Sequence, residues 1–102
     1  MKSKSSKILK LEKNRKSILT NNLDVCVFCG MPRDHLHEVY FGKNRNLSMK
    51  YGCVVPLCFN HHHLVHNNHV LDNKLKQKMQ EAFEKTYPTL DFIAIFGRNY
   101  KE

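Results

Sequence analysis

Cysteines and histidines crowd two short stretches of this chain. Residues 55–69, VPLCFNHHHLVHNNH, hold one cysteine and five histidines, and a Cys26-x-x-Cys29-Gly30 turn lies 28 residues ahead of Cys58. A tetrahedral zinc ion takes four thiolate or imidazole ligands, and pairs with two residues between them in tight turns supply them two at a time. Cys26, Cys29, Cys58 and His61 make such a set. A competing arrangement uses Cys26, Cys29 and a histidine pair, leaving Cys58 spare. Cys53, the fourth cysteine, sits in an apolar run and reads as a buried thiol.

If zinc takes Cys58 and His61, other histidines are left for a second ion. His62 and His66 are four residues apart, on one face of a helix if this stretch is helical. His37, just after the first knuckle, is the natural third ligand, and Glu38 stands beside it. His63 and His69 point elsewhere and have no ligand role.

The elements that must position these groups can be read in outline. Residues 1–6 read as a disordered start. Ile8, Leu9, Leu11, Ile18 and Leu19 allow a short basic helix between Lys7 and Leu19. Residues 35–42, HLHEVYFG, read as a strand favoured by Val39, Tyr40 and Phe41 and ended by Gly42, and residues 43–52 read as a polar loop. Residues 53–58, CVVPLC, give a second strand, and the histidine helix starts after Cys58 and ends at Asn67 and Asn68. Leu71, Leu75, Met79 and Phe83 recur every four residues, predicting an amphipathic helix over 72–85 whose stripe is core. A last apolar turn or two spans 89–97, capped by Thr89 and Gly97.

The chain has 102 residues, which bounds it to one small domain in which a metal staple would supplement a limited core. Seven of its 17 Lys and Arg precede Asn22, against the single acid Glu12, so this end carries +6 of the formal +8. Two units follow: a basic arm, 1–22, partly disordered or helical, and a zinc-stapled domain, 23–102, with C-terminal helices. A basic end attracts polyanions, nucleic acid above all. No apolar run spans a bilayer and no secretory signal is evident, so a soluble, intracellular protein without a membrane partner is expected. In a reducing cytoplasm its cysteines favour metal over disulfides.

The order of knuckle, His37-Glu38, loop, knuckle and His62-x3-His66 resembles the HNH, or ββα-metal, endonucleases. More narrowly, "CVFCG", "LHEVYFG", "YGCVVPLCFNHHHLVH" and "FGRNY" look like the small zinc-knuckle HNH-type proteins of bacteriophages and prophages related to recombination-enhancement nucleases, over about residues 24–100. The resemblance implies an α+β fold: a zinc-stapled ββα-metal (His-Me finger) core with flanking helices. It implies a metal-dependent DNA endonuclease that hydrolyses phosphodiester bonds in a bacterial host's cytoplasm. Its substrate would be single- or double-stranded DNA, with a recombinase filament as a further partner.

His37 matches the family's strand ligand for the catalytic ion, and His62 and His66 match its helix ligands. That ion would be magnesium, manganese, nickel or zinc. Glu38 falls where the family carries its general-base histidine. A carboxylate is a weaker base near neutral pH unless burial raises it, and Glu38 could also ligate the ion. His35 is the other candidate base. The family's orienting asparagine has no clear counterpart, Cys53 falling near its place and Asn44 and Asn46 being substitutes in the loop. Lys10, Lys13, Arg15, Lys16, Lys43, Arg45, Lys50 and Arg98 would hold the phosphate backbone without reading sequence. The departures at the base and the asparagine leave a second reading, a zinc-stapled DNA-binding or interaction module whose nuclease centre has decayed. A small protein that inhibits a host enzyme is a third.

Overall fold

Two four-residue strands hold the centre of the molecule. The computed structural model describes residues 6–101. In it, β1 (His35–Glu38) and β2 (Val54–Leu57) pair antiparallel, with His35 opposite Leu57, Leu36 opposite Pro56, His37 opposite Val55 and Glu38 opposite Val54. Successive strand residues point to opposite faces. His35 and His37 therefore share one face of β1, and Glu38 takes the other. Pro56 cannot donate to a ladder, but in a two-stranded sheet its carbonyl is free to bind outward, and it accepts from the Val27 amide at 2.9 Å.

Of the strand expected over 35–42 only the first half forms: β1 ends at Glu38, before Val39–Phe41. Val39 and Tyr40 turn inward and are almost fully buried, while Phe41 is exposed. Their apolar bulk serves the core instead of extending the ladder, although the Val39 amide still reaches Cys53 O at 3.0 Å. The expected polar loop is also corrected. Residues Gly42–Asn44 form a 3-10 turn, and α2 (Arg45–Tyr51) follows. Ser48 anchors this helix, its buried hydroxyl donating to Tyr40 O at 2.6 Å and accepting from Tyr40 N at 3.1 Å. Gly52 ends it in a left-handed conformation, φ 78°, where an added Cβ would meet Ile18 Cγ2 at 3.0 Å.

The histidine stretch is helical as expected, in α3 (Phe59–Asn67). Asn68 then starts a new helix, its side chain accepting from Leu71 N at 3.0 Å, so α4 (His69–Thr86) begins three residues before the expected start. Leu75, Met79 and Phe83 of the stripe are buried with Val55, Leu57 and Val65, and each such side chain contributes about 1.5–3 kcal/mol. The short α5 (Phe92–Phe96) is capped by Asp91, not Thr89: its Oδ1 accepts from Ile93 and Ala94. Gly97 closes it as expected. Phe92, Phe96 and Tyr100 surround the Tyr40 ring, whose hydroxyl donates to Lys76 O at 2.6 Å.

The basic helix is shorter than the sequence allowed, α1 (Ser6–Lys13). Past it, Ile18 donates to Gly52 O at 2.9 Å, and Ile18 and Leu19 pack against the core. Residues 1–5 of the expected disordered start lie outside the described residues. Among those described, no helix is long and apolar enough to cross a membrane.

Candidate metal centres

The first knuckle is closed by its backbone. Cys26 N donates to Met31 O at 2.7 Å and Gly30 N to Cys26 O at 2.9 Å, with Gly30 at φ 75°, so both thiols face the same side. The second knuckle is a helix start. Cys58 caps α3 and its sulfur accepts from His61 N at 3.4 Å, which turns the His61 ring back beside it.

The four side chains meet. Cys29 Sγ lies 3.7 Å from Cys58 Sγ, and His61 Nδ1 lies 3.5 Å from Cys26 Sγ and 3.3 Å from Cys58 Sγ. Tetrahedral zinc, with bonds of about 2.3 Å to sulfur and 2.0–2.1 Å to nitrogen, separates two thiolates by ~3.8 Å and sulfur from nitrogen by ~3.6 Å. The spacings match, so the Cys3His cluster could hold a structural metal such as zinc. Burial pushes Cys26 up, but backbone amides at Cys58, Phe28 and Cys29 outweigh it and bring the thiol down to about 6. The Met31 amide lowers Cys29, yet desolvation and the neighbouring sulfurs leave it raised. Three clustered sulfurs resist a second negative charge unless a cation joins them. Cys53 stands apart, fully buried, with burial pushing its thiol up to about 12.

A second cluster lies one helix position away. The ligand atoms of His37, His62 and His66 are all within 4.8 Å of one another, an arrangement that could also hold a metal ion. His62 and His66 present their Nε2 atoms to each other at 3.0 Å across one turn of α3. His37 is 4% exposed and its Nε2 has no hydrogen-bond partner among the described residues. Such an orphaned polar atom costs about 1–3 kcal/mol, which a cation would offset. Burial, with the His66 and His62 rings, pulls His37 down to about 4, so its imidazole stays neutral. Burial also lowers His62. His35 stacks on His62, ring centroids 4.3 Å apart.

Glu38 is not brought to this trio. Across the strand, it accepts from Arg15 at 2.7 Å and lies 3.2 Å from Arg45, and both arginines also pair with Glu12, at 3.5 and 2.7 Å. The two arginines expected to hold phosphate thus belong to a ring of four charges that sums to zero. Lys10, Lys13, Lys16, Lys43, Lys50 and Arg98 are exposed, Arg98 lying over the Tyr100 ring at 5.1 Å. Asn44 donates to Phe96 O at 3.2 Å and so ties the turn to α5. His63 and His69 are exposed and outside both clusters.

The structure adds Asp72 and Lys76, which sequence reasoning passed over. Asp72 is buried, with Oδ2 3.0 Å from Lys76 Nζ and Oδ1 unpartnered among the described residues, and its charge reaches His37. Lys76 Nζ also sits 4.5 Å above the Phe41 ring. Glu12 had a signal, as the lone acid of a basic arm.

The geometry defines a small α+β domain carrying a Cys3His cluster able to bind a metal such as zinc, with a separate histidine trio beside it. No protein-family model, curated protein or solved structure matches the chain.

Proposed function

We propose that the protein is a metal-dependent DNA endonuclease of the HNH, or ββα-metal, type, related to the phage and prophage recombination-enhancement nucleases. The observation that carries the reading is the buried His37, its Nε2 without a partner among the described residues, gathered with the His62–His66 pair beside a Cys3His set with its own four ligands. β1 supplies His37 and α3 supplies His62 and His66, with β2 paired to β1 between them in the chain, a pattern that supports a ββα reading. The 3.0 Å between the His62 and His66 nitrogens is bridged either by a shared proton or by a cation, and octahedral bonds of about 2.1 Å place adjacent ligands about 3 Å apart.

A divalent cation held there would polarise a phosphate oxygen and offset charge developing on the leaving oxygen. His35, stacked on His62 at the exposed end of β1, is the better-placed group to take a proton from water, since the Glu38 oxygens are engaged by guanidinium groups. Glu38 instead positions β1. The exposed lysines hold the phosphate backbone, and a recombinase filament is the partner that would present the DNA.

Supercoiled plasmid incubated with the protein and magnesium, manganese or nickel tests this. Nicking that disappears in His66→Ala is expected; no nicking with any of the metals overturns it. The engagement of Glu38 by two arginines favours one alternative, a zinc-stapled DNA-binding module without catalysis. For that module, salt-sensitive DNA binding and one metal per chain are expected.

A further inference from the structure

The helices α1 and α2 leave a groove of about 650 Å3 between them. Lys7, Lys10, Lys16 and Lys50 line it, and Leu11 and Leu47 form part of its floor. Among the described residues no acid lines it, and Glu12, the one acid of α1, is held by Arg15 and Arg45. None of the four lysines makes an ion pair among the described residues. Four ammonium groups around one depression repel one another, so an anionic occupant is favoured over water.

The floor narrows the choice. A duplex presents phosphate and sugar outward and keeps its bases stacked inside, so it gains nothing from leucine. A single strand offers phosphates to the rim and an unstacked base to the floor. The volume is that of ordinary small-ligand pockets, about 300–1,000 Å3, which admits a short segment of one strand and excludes a duplex. We infer that this groove binds single-stranded nucleic acid, with phosphates on the lysines and a base against Leu11 and Leu47.

Asn14 and Asn46 also line the groove, next in sequence to the Arg15 and Arg45 that grip Glu38, the neighbour of His37. Those arginines lie across β1 from the histidine trio, so the groove is a binding surface separate from the trio, and binding there does not depend on the nuclease reading.

The test uses the full chain carrying His66→Ala, without added divalent metal, so that cutting cannot interfere. Fluorescence anisotropy compares labelled oligothymidylate with a hairpin duplex of equal phosphate number, with polyglutamate as competitor. Oligothymidylate should bind at least tenfold tighter than the duplex. Lys10→Gln with Lys50→Gln should weaken it roughly tenfold and flatten the log–log salt slope by about 1.4, at 0.7 per lost phosphate contact. Leu47→Gln should narrow the preference over duplex while leaving the salt slope unchanged. Lys78→Gln with Lys85→Gln, on the exposed side of α4, should change nothing. Equal binding of duplex, a lysine pair variant with unchanged affinity, or polyglutamate competing as well as unlabelled oligothymidylate would overturn the inference. Plasmid nicking is read separately, so loss of the nuclease reading leaves this result standing.

Discussion

His37 and Glu38 are adjacent in sequence and opposed in space: the His37 ring joins His62 and His66, while the Glu38 carboxylate joins Arg15 and Arg45. A strand's two-residue period makes that separation unavoidable once β1 is formed. It divides the labour of the strand between a face that carries the histidine trio and a face that ties the chain's basic start to its body.

Glu38 is thus expected to matter first for stability. Glu38→Gln should destabilise the domain by about 1–3 kcal/mol, because it leaves two partly buried guanidiniums opposite one carboxylate. For a domain of this size that is a fall of roughly 4–8 °C in Tm per kcal/mol, read by thermal denaturation. An unchanged Tm together with complete loss of nicking would return Glu38 to the chemistry.

The Cys3His cluster joins the first knuckle to α3 across 29 to 35 residues of chain. Metal affinity there is folding energy. Chelation that removes the metal, or Cys29→Ser, should unfold the domain, with the helical circular dichroism signal falling in step with metal release. A full helical signal after verified metal loss would remove the staple from the account.

Acid should destabilise the domain through His37. Its imidazole takes a proton near the ordinary 6.5 in the unfolded chain but only near about 4 in the fold, so between these values the unfolded chain binds more protons. Stability is therefore retained above 6.5 and declines as pH falls toward 4, at up to about 1.4 kcal/mol per pH unit. Denaturant titrations of wild type and His37→Gln at a series of pH values read this contribution together with its coupling to His62 and His66. Parallel profiles would mean that His37 is accessible to protons in the fold.

Cys53 should be silent. Burial and a thiol pushed up to about 12 leave almost no thiolate at pH 8. Mass spectrometry after alkylation of the folded, metal-loaded protein should find it unmodified, and full labelling should require denaturant. Rapid labelling in the folded state would contradict its placement in the core.

The metal-ligand sets were legible because their information is local. The three-residue spacings of Cys26 to Cys29 and of Cys58 to His61, and the four-residue spacing of His62 and His66, survive any tertiary arrangement that keeps a turn or a helix. The stripe at Leu75, Met79 and Phe83 was legible for the same reason. What escaped is decided by packing. Residues 45–51 read as part of a polar loop, yet buried Met49, Leu47 and Tyr51 packed against the core, and Ser48 bonding to Tyr40, hold them as a helix. Val39 and Tyr40 have strand propensity, but the core takes them. The Glu12–Arg45 contact links positions 33 residues apart, and nothing in either neighbourhood announces it.

The central claim is that two metal sites stand side by side, and metal stoichiometry tests it most directly. Elemental analysis after equilibration with zinc and then with nickel or manganese should give two metals per chain in the wild type. His66→Ala should keep the Cys3His metal and lose the second, and Cys29→Ser should lose the first along with the fold. One metal per chain in both wild type and His66→Ala, or loss of the Cys3His metal in His66→Ala, would contradict the account.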